Sequence, residues 1–113
     1  MNLKKSDREA LLEVKLYIED HYRDDISIRT LSEISGLNAI RLQKAFKELF
    51  LNTIYAYCKE LRRKRAAFLL SNTDMSVKQV ALEVGYRKTK SLTTMFKSYY
   101  GETPTEYRLR YIA

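Results

Sequence analysis

The chain has 113 residues and is 45% hydrophobic, enough for a packed core, while a content of only 3 Gly and 1 Pro excludes a turn-rich β protein. Its single cysteine excludes an internal disulfide, no apolar run approaches the ~18 residues of a membrane span, and the opening "MNLKKSDREALL" is too polar for a secretory signal, so a cytoplasmic protein is expected. Residues 1–50 carry 9 basic and 9 acidic side chains and residues 51–113 carry 12 and 5, so the whole net charge of +7 lies in the second half, where it would attract a polyanion, nucleic acid before an anionic membrane surface.

The first element is "DREALLEVKLYIEDHY". Leu11, Val14 (or Leu12), Ile18 and Tyr22 follow helical spacing and give it one apolar face. Ser6 with Glu9 three residues on predicts a capping box, and Asp24–Asp25 ends the segment. In "SIRTLSEISG" Ser27 caps a short helix with Ile28, Leu31 and Ile34 on one side, and Gly36 stops it. Asn38 is a good cap for the next helix, in which Leu42, Ala45, Phe46 and Leu49 face inward and Arg41, Gln43, Lys44 and Lys47 face out.

Thr53 opens a longer helix, "IYAYCKELRRKRAAFLLSN", with Ile54, Tyr57, Leu61, Ala66 (or Arg65), Leu69 and Leu70 along one side. The four consecutive charges Arg62–Arg65 wrap around it and cannot all point one way. After a turn at 72–74, Ser76 caps a helix from Val77 to Val84 that Gly85 stops. Another runs from about Lys88 to Tyr100, with Leu92, Met95, Phe96 and Tyr99 inward and Gly101 at its end. Thr103 and Pro104 begin a last helix carrying Tyr107 and Tyr111. The expectation is an all-α chain of seven helices.

Two of these stretches repeat one another. Leu31 aligns with Val80, Gly36 with Gly85 and Leu37 with Tyr86; after one extra residue Leu42 aligns with Leu92, Phe46 with Phe96, Lys47 with Lys97, Thr53 with Thr103 and Tyr57 with Tyr107. The matching positions are caps, stops and inward residues. The outward ones differ: Ile40 against Lys90, Gln43 against Thr93, Lys44 against Thr94. A short helix, a glycine turn and a second helix with a polar outer face form a helix-turn-helix, whose second helix fits the major groove. Neither outer face carries an acid between Asn38 and Lys47 or between Arg87 and Gly101, which a duplicated bundle with no polyanion partner does not explain. The expected organisation is an N-terminal helix (1–26), a first unit (27–52), a linker helix (53–72) that sets the separation, and a second unit with a C-terminal helix (73–113). Two units reading one face of a duplex would sit about 34 Å apart.

The segment "VALEVGYRKTKSLTTMFKSYYGETPTEYR", residues 80–108, resembles the signature of AraC/XylS-type DNA-binding domains. Ala81, Gly85, Tyr86, Phe96, Lys97, Gly101, Thr103, Pro104, Tyr107 and Arg108 carry the resemblance, and Leu31, Gly36, Leu42, Phe46, Lys47, Tyr57, Arg62, Ala66 and Leu69–Leu70 extend it over the first half. The resemblance implies base contacts from Ile40, Gln43 and Lys44 in the first unit and from Thr89, Lys90, Thr93 and Thr94 in the second. Gln43 suits adenine, Lys44 and Lys90 suit guanine acceptors, and Ile40 or a threonine methyl suits a thymine methyl. Arg41, Lys47, Arg87, Lys88, Lys97 and Arg108 are assigned to phosphates. Three departures stand out: Leu51 where Gly101 stands in the second repeat, with Asn52 expected to take the left-handed role; Arg87 at the expected cap of the sixth helix; and Arg63 where the family usually has a larger apolar residue.

No catalytic pattern accompanies this. His21 is the only histidine and Cys58 the only cysteine, so no metal-ligand spacing and no cofactor motif is present, and an enzyme is not expected. The expected function is sequence-specific duplex DNA binding by a bacterial transcription regulator, more often an activator in this family. The expected partners are double-stranded DNA, RNA polymerase and, where the chain is the C-terminal part of a longer protein, that protein's regulatory domain. A complete chain controlled by its abundance is the other expectation. The alternative function is a helical protein-interaction module whose acidic residues Glu19, Asp20, Asp24 and Asp25 meet a basic partner. Membrane attachment is not expected, because the apolar faces are consumed by the core.

Overall fold

The computed structural model describes residues 2–112. Its elements are α1 (Lys5–His21), α2 (Ile28–Ser35), α3 (Ala39–Phe50), α4 (Ile54–Asn72), α5 (Val77–Glu83), α6 (Thr89–Tyr100) and α7 (Pro104–Ile112). There is no strand among the described residues, in agreement with the all-α expectation. The chain divides into two compact units, one ending at Lys59 and the other beginning at Glu60. The division falls inside α4, so the expected linker helix lends its first part to one unit and its second part to the other.

In the first unit α1 packs on α2 and α3, and α2 packs on α3. Leu11, Val14 and Ile18 from α1, Leu31 from α2, Leu42, Ala45 and Phe46 from α3 and Ile54 from α4 are buried. Those are the residues that three- and four-residue spacing put on single faces, and burying each large one contributes about 1.5–3 kcal/mol. The Phe46 ring meets Phe50 edge-on at 4.7 Å and Tyr57 at 6.1 Å. The Tyr57 hydroxyl donates to the Glu19 carboxylate, which ties α4 to α1 within this unit.

In the second unit Ala66, Leu69 and Leu70 of α4, Val80 and Ala81 of α5, Val84 just after it, Leu92, Met95 and Phe96 of α6 and Tyr107 of α7 form one cluster. Phe96, Tyr100, Tyr107 and Tyr111 continue it as a run of ring contacts with centroids 4.8–5.3 Å apart. The Gly85 turn takes φ 103°, and the Tyr86 N–H closes it by donating to the Ala81 carbonyl at 2.8 Å. That six-residue closure is the Schellman arrangement, which a side chain at the left-handed position would strain.

Most helix starts follow the sequence. Ser27 accepts from the Thr30 N–H at 3.1 Å, Asn38 from Arg41 at 2.9 Å and Thr53 from Ala56 at 3.0 Å. Ser76 and Gln79 cap each other reciprocally, as do Thr103 and Glu106 around Pro104. Four local expectations are corrected. α1 begins ahead of Ser6, and Asp7 rather than Glu9 reaches back to the preceding backbone, accepting the Lys4 N–H at 3.1 Å. Leu51, not Asn52, takes the left-handed conformation, with φ 57°. Its own N–H donates to the Lys47 carbonyl at 2.9 Å, so the chain leaves α3 one residue earlier than polarity suggests. The cap of α6 is Lys88, not Arg87. Tyr99 points outward, because Met95 and Phe96 already fill the inward stripe of α6.

Candidate nucleic-acid interface

α3 and α6 occupy equivalent places in their units, each following a short helix and a glycine-containing turn. Each buries one stripe, Leu42, Ala45 and Phe46 in α3 and Leu92, Met95 and Phe96 in α6. The opposite faces are therefore held outward by the core and not by loop conformation. On α3, Ile40 is 70% exposed, and Gln43, Lys44 and Lys47 are exposed with it. On α6, Lys90, Thr94 and Lys97 are exposed, while Thr89 and Thr93 are half-buried. Arg87 and Lys88 are exposed just ahead of α6.

Neither helix has an acidic residue in its first turn. The first-turn N–H groups carry partial positive charge, so each N-terminus is favourable to an anion. At α3 the Asn38 side chain satisfies one of those groups. At α6 the Lys88 side chain forms no cap bond, which leaves the first-turn donors without a side-chain partner. α3 itself carries no acid up to Lys47, and α6 carries none along its length.

The expected base-reading side chains are grouped as the sequence suggested, by unit and by face. Gln43 is folded back along its helix, its Nε2 donating to the Ala39 carbonyl at 3.1 Å. Two expected phosphate contacts are engaged inside the fold instead. The Arg41 guanidinium lies 3.0 Å from Asp7, whose carboxyl is held below its ordinary range by the Lys4 N–H first and by Arg41 after it. Arg108 Nε donates to the Leu70 carbonyl at 3.0 Å and a terminal nitrogen donates to Thr73 at 3.3 Å, so it closes the end of α4. Both are half-buried, and both are lodged in bonds that a phosphate would have to break.

Sequence reasoning gave no role to Arg62. Its guanidinium lies 5.0 Å from the Tyr86 ring and donates to the Gly85 carbonyl at 3.3 Å. It thus braces the turn that presents α6. Its signal in the sequence was its place among the residues of the family resemblance, since helical spacing alone does not separate it from its three charged neighbours. No group of His, Cys, Asp and Glu that could hold a metal exists among the described residues.

The family model described as "Helix-turn-helix domain" matches residues 31–110, and its match is of the AraC type. The C-terminal domain of the two-component response regulator yesN from Fusobacterium nucleatum is 31% identical, with a TM-score of 0.81 over 88% of this chain and 98% of that one. The DNA-binding domain of AdpA, a global transcriptional factor solved in complex with a target DNA, is 25% identical, with a TM-score of 0.83 over 90% of this chain and 92% of that one. The xylose operon regulatory protein of Escherichia coli is 29% identical over 88% of this chain. The chain spans 25% of that relative's length, and 34% of the length of the Msm operon regulatory protein of Streptococcus mutans, to which it is 26% identical.

Proposed function

The chain belongs to the AraC-type helix-turn-helix family of DNA-binding domains in transcription regulators, and from that premise we propose that it reads specific duplex DNA sequences through α3 and α6. The observation that carries this reading is the pair of exposed, acid-free faces held outward by equivalent buried stripes. Ile40, Gln43 and Lys44 read one major-groove segment; Lys90 and Thr94, with the less exposed Thr89 and Thr93, read another. Lys47, Arg87, Lys88 and Lys97 hold phosphates and set register. Arg41 and Arg108 stand outside this set because Asp7 and the end of α4 already engage them.

A regulator at a promoter acts by changing what RNA polymerase does there, so RNA polymerase is the second proposed partner. No helix among the described residues is long and apolar enough to cross a membrane, and the cytoplasm, where bacterial DNA lies, is the proposed location. The test is selection of binding sites from a random duplex library at near-physiological salt. Two short enriched blocks support reading by both units. One block means that one unit grips backbone without reading. Absence of enrichment, with weak binding that salt abolishes, overturns the proposal and leaves a basic helical interaction module.

A further inference from the structure

The face of α1 turned away from the core carries Lys5, Glu9, Leu12, Glu13, Leu16 and Asp20, all exposed, so a single lysine stands at its N-terminal end beside three carboxylates. At about 100° per residue these positions lie opposite the buried stripe of Leu11, Val14 and Ile18. Leu12 is 49% exposed and Leu16 is 52% exposed. They stand four residues apart, about 6 Å along the axis, and so form a single apolar ridge. What sets this small ridge apart is its border: three carboxylates in a chain of net charge +7. Glu9, Glu13 and Asp20 have no ion-pair partner among the described residues. Elsewhere on α1 the acids are in use: Asp7 holds Arg41, and Glu19 holds Lys15 and Tyr57.

We infer that this face docks a basic amphipathic helix of a partner protein. The charge selects among occupants. With three carboxylates against the one Lys5 ammonium the face is net acidic and repels DNA phosphates and anionic lipid headgroups alike, so it belongs to neither. A second copy offering the same face would set acid against acid. A helix with apolar side chains one turn apart and lysines or arginines beside them places its ridge along Leu12 and Leu16 and its cations against Glu9, Glu13 and Asp20. The inference is separate from DNA reading, since none of its residues lies on α3 or α6.

The test uses the isotopically labelled chain and, as probe, a synthetic helical peptide with a leucine pair one turn apart flanked by lysines. Backbone resonances of α1 between Glu9 and Asp20 shift on titration. Replacing Leu12 and Leu16 together by Gln weakens the complex by about tenfold or more. Glu13→Lys weakens it as well, and a peptide with glutamates in place of lysines does not bind. Both variants keep helical content, and their affinity for a selected DNA site stays within about twofold of the parent. The proposal is overturned if the leucine variant binds the peptide as the parent does, which reduces the contact to ionic attraction. It is overturned equally if no resonance on α1 moves, or if the parent self-associates and the leucine variant does not, which makes a second copy the occupant.

Discussion

The Arg63 guanidinium lies 3.6 Å from the centroid of the Tyr99 ring. The Arg63 side chain is only 12% exposed, and it also reaches Glu60 at 4.0 Å. The resemblance leads one to expect an apolar residue at Arg63, and the Tyr99 ring instead gives the guanidinium a flat face that accepts a cation. Stacking of this kind, partly desolvated, contributes about 0.5–2 kcal/mol. A double-mutant cycle with Arg63→Met and Tyr99→Leu should therefore give a coupling of about 1 kcal/mol in thermal or urea unfolding. Arg63→Lys should not restore it, because an ammonium lacks the planar stacking surface. Zero coupling would reduce the pair to mere proximity.

Leu51 and Gly101 occupy the same turn of the two repeats, with φ 57° and 74°. Leucine in the left-handed region costs about 1–2 kcal/mol, and this leucine is 88% exposed, so little burial offsets the strain. Leu51→Gly should raise stability by about 0.5–1 kcal/mol after the entropy of the more flexible unfolded chain is deducted. Gly101→Ala should lower it by about 1 kcal/mol through backbone strain alone, since an added Cβ at Gly101 meets nothing within 4 Å. Calorimetric melting of the two variants checks both signs.

The same comparison explains what could be read from the sequence. Most helices were legible because they combine a strong cap with a stripe of large apolar residues, as with Asn38 and the Leu42–Phe46 stripe or Ser76 and Gln79, while α1 and α6, which lack a side-chain cap, were legible from their stripes alone. Deviations occurred where two neighbours compete for one role. Asn52 tolerates the left-handed region better than Leu51 by local preference, yet the α3 hydrogen-bond pattern ends at Leu51. Arg87 and Lys88 are equally poor caps, so composition could not choose between them. The outward faces of α3 and α6 followed from their inward ones. The binding of Arg41 by Asp7, 34 residues earlier, could not have been found, because periodicity carries no information on pairing between distant elements.

Tyr107 gives the second unit an alkaline limit. Burial, helped by its bond with Tyr111, pushes the Tyr107 phenol up to about 12. In the unfolded chain a tyrosine ionises near 10. The folded state thus retains its proton where the unfolded state loses it, and stability falls as pH rises. The contribution is complete below about pH 10 and disappears through about pH 12. Tyr107→Phe should flatten that fall relative to the parent, read as the difference in urea midpoints at pH 9 and pH 11. An unchanged difference between those two pH values would show that Tyr107 ionises equally in both states.

Arg41 separates an internal role from a DNA-facing one. Asp7 is held low by the Lys4 N–H first and by Arg41 second. Arg41→Met should therefore raise the Asp7 pKa without restoring it to its ordinary value, as followed by carboxyl chemical shifts. The stabilisation of α1 that this carboxylate provides is present at neutral pH and lost as pH falls through its depressed folded value, so the variant should lose it at a higher pH. Affinity for a selected duplex should drop less in Arg41→Met than in Lys47→Ala. The reverse order would return Arg41 to the phosphate contacts.

Gln43 and Lys47 stand one helical turn apart on α3 with different proposed tasks. Gln43 is parked on the Ala39 carbonyl and must leave that bond to pair with a base edge. The released carbonyl is still bonded within the helix, so the change costs little, and a bidentate pair with adenine discriminates by about 1–3 kcal/mol. Gln43→Ala should flatten preference at one position of the selected site and leave the others as they were. Lys47 is exposed near the end of α3 and meets the duplex as a point charge. Lys47→Ala should weaken binding to every sequence by a similar factor and lower the salt dependence by about one released counterion. Comparing both variants on a panel of single-base substitutions over a range of salt distinguishes the tasks. A uniform loss across the panel for Gln43→Ala would move it from base reading to backbone contact.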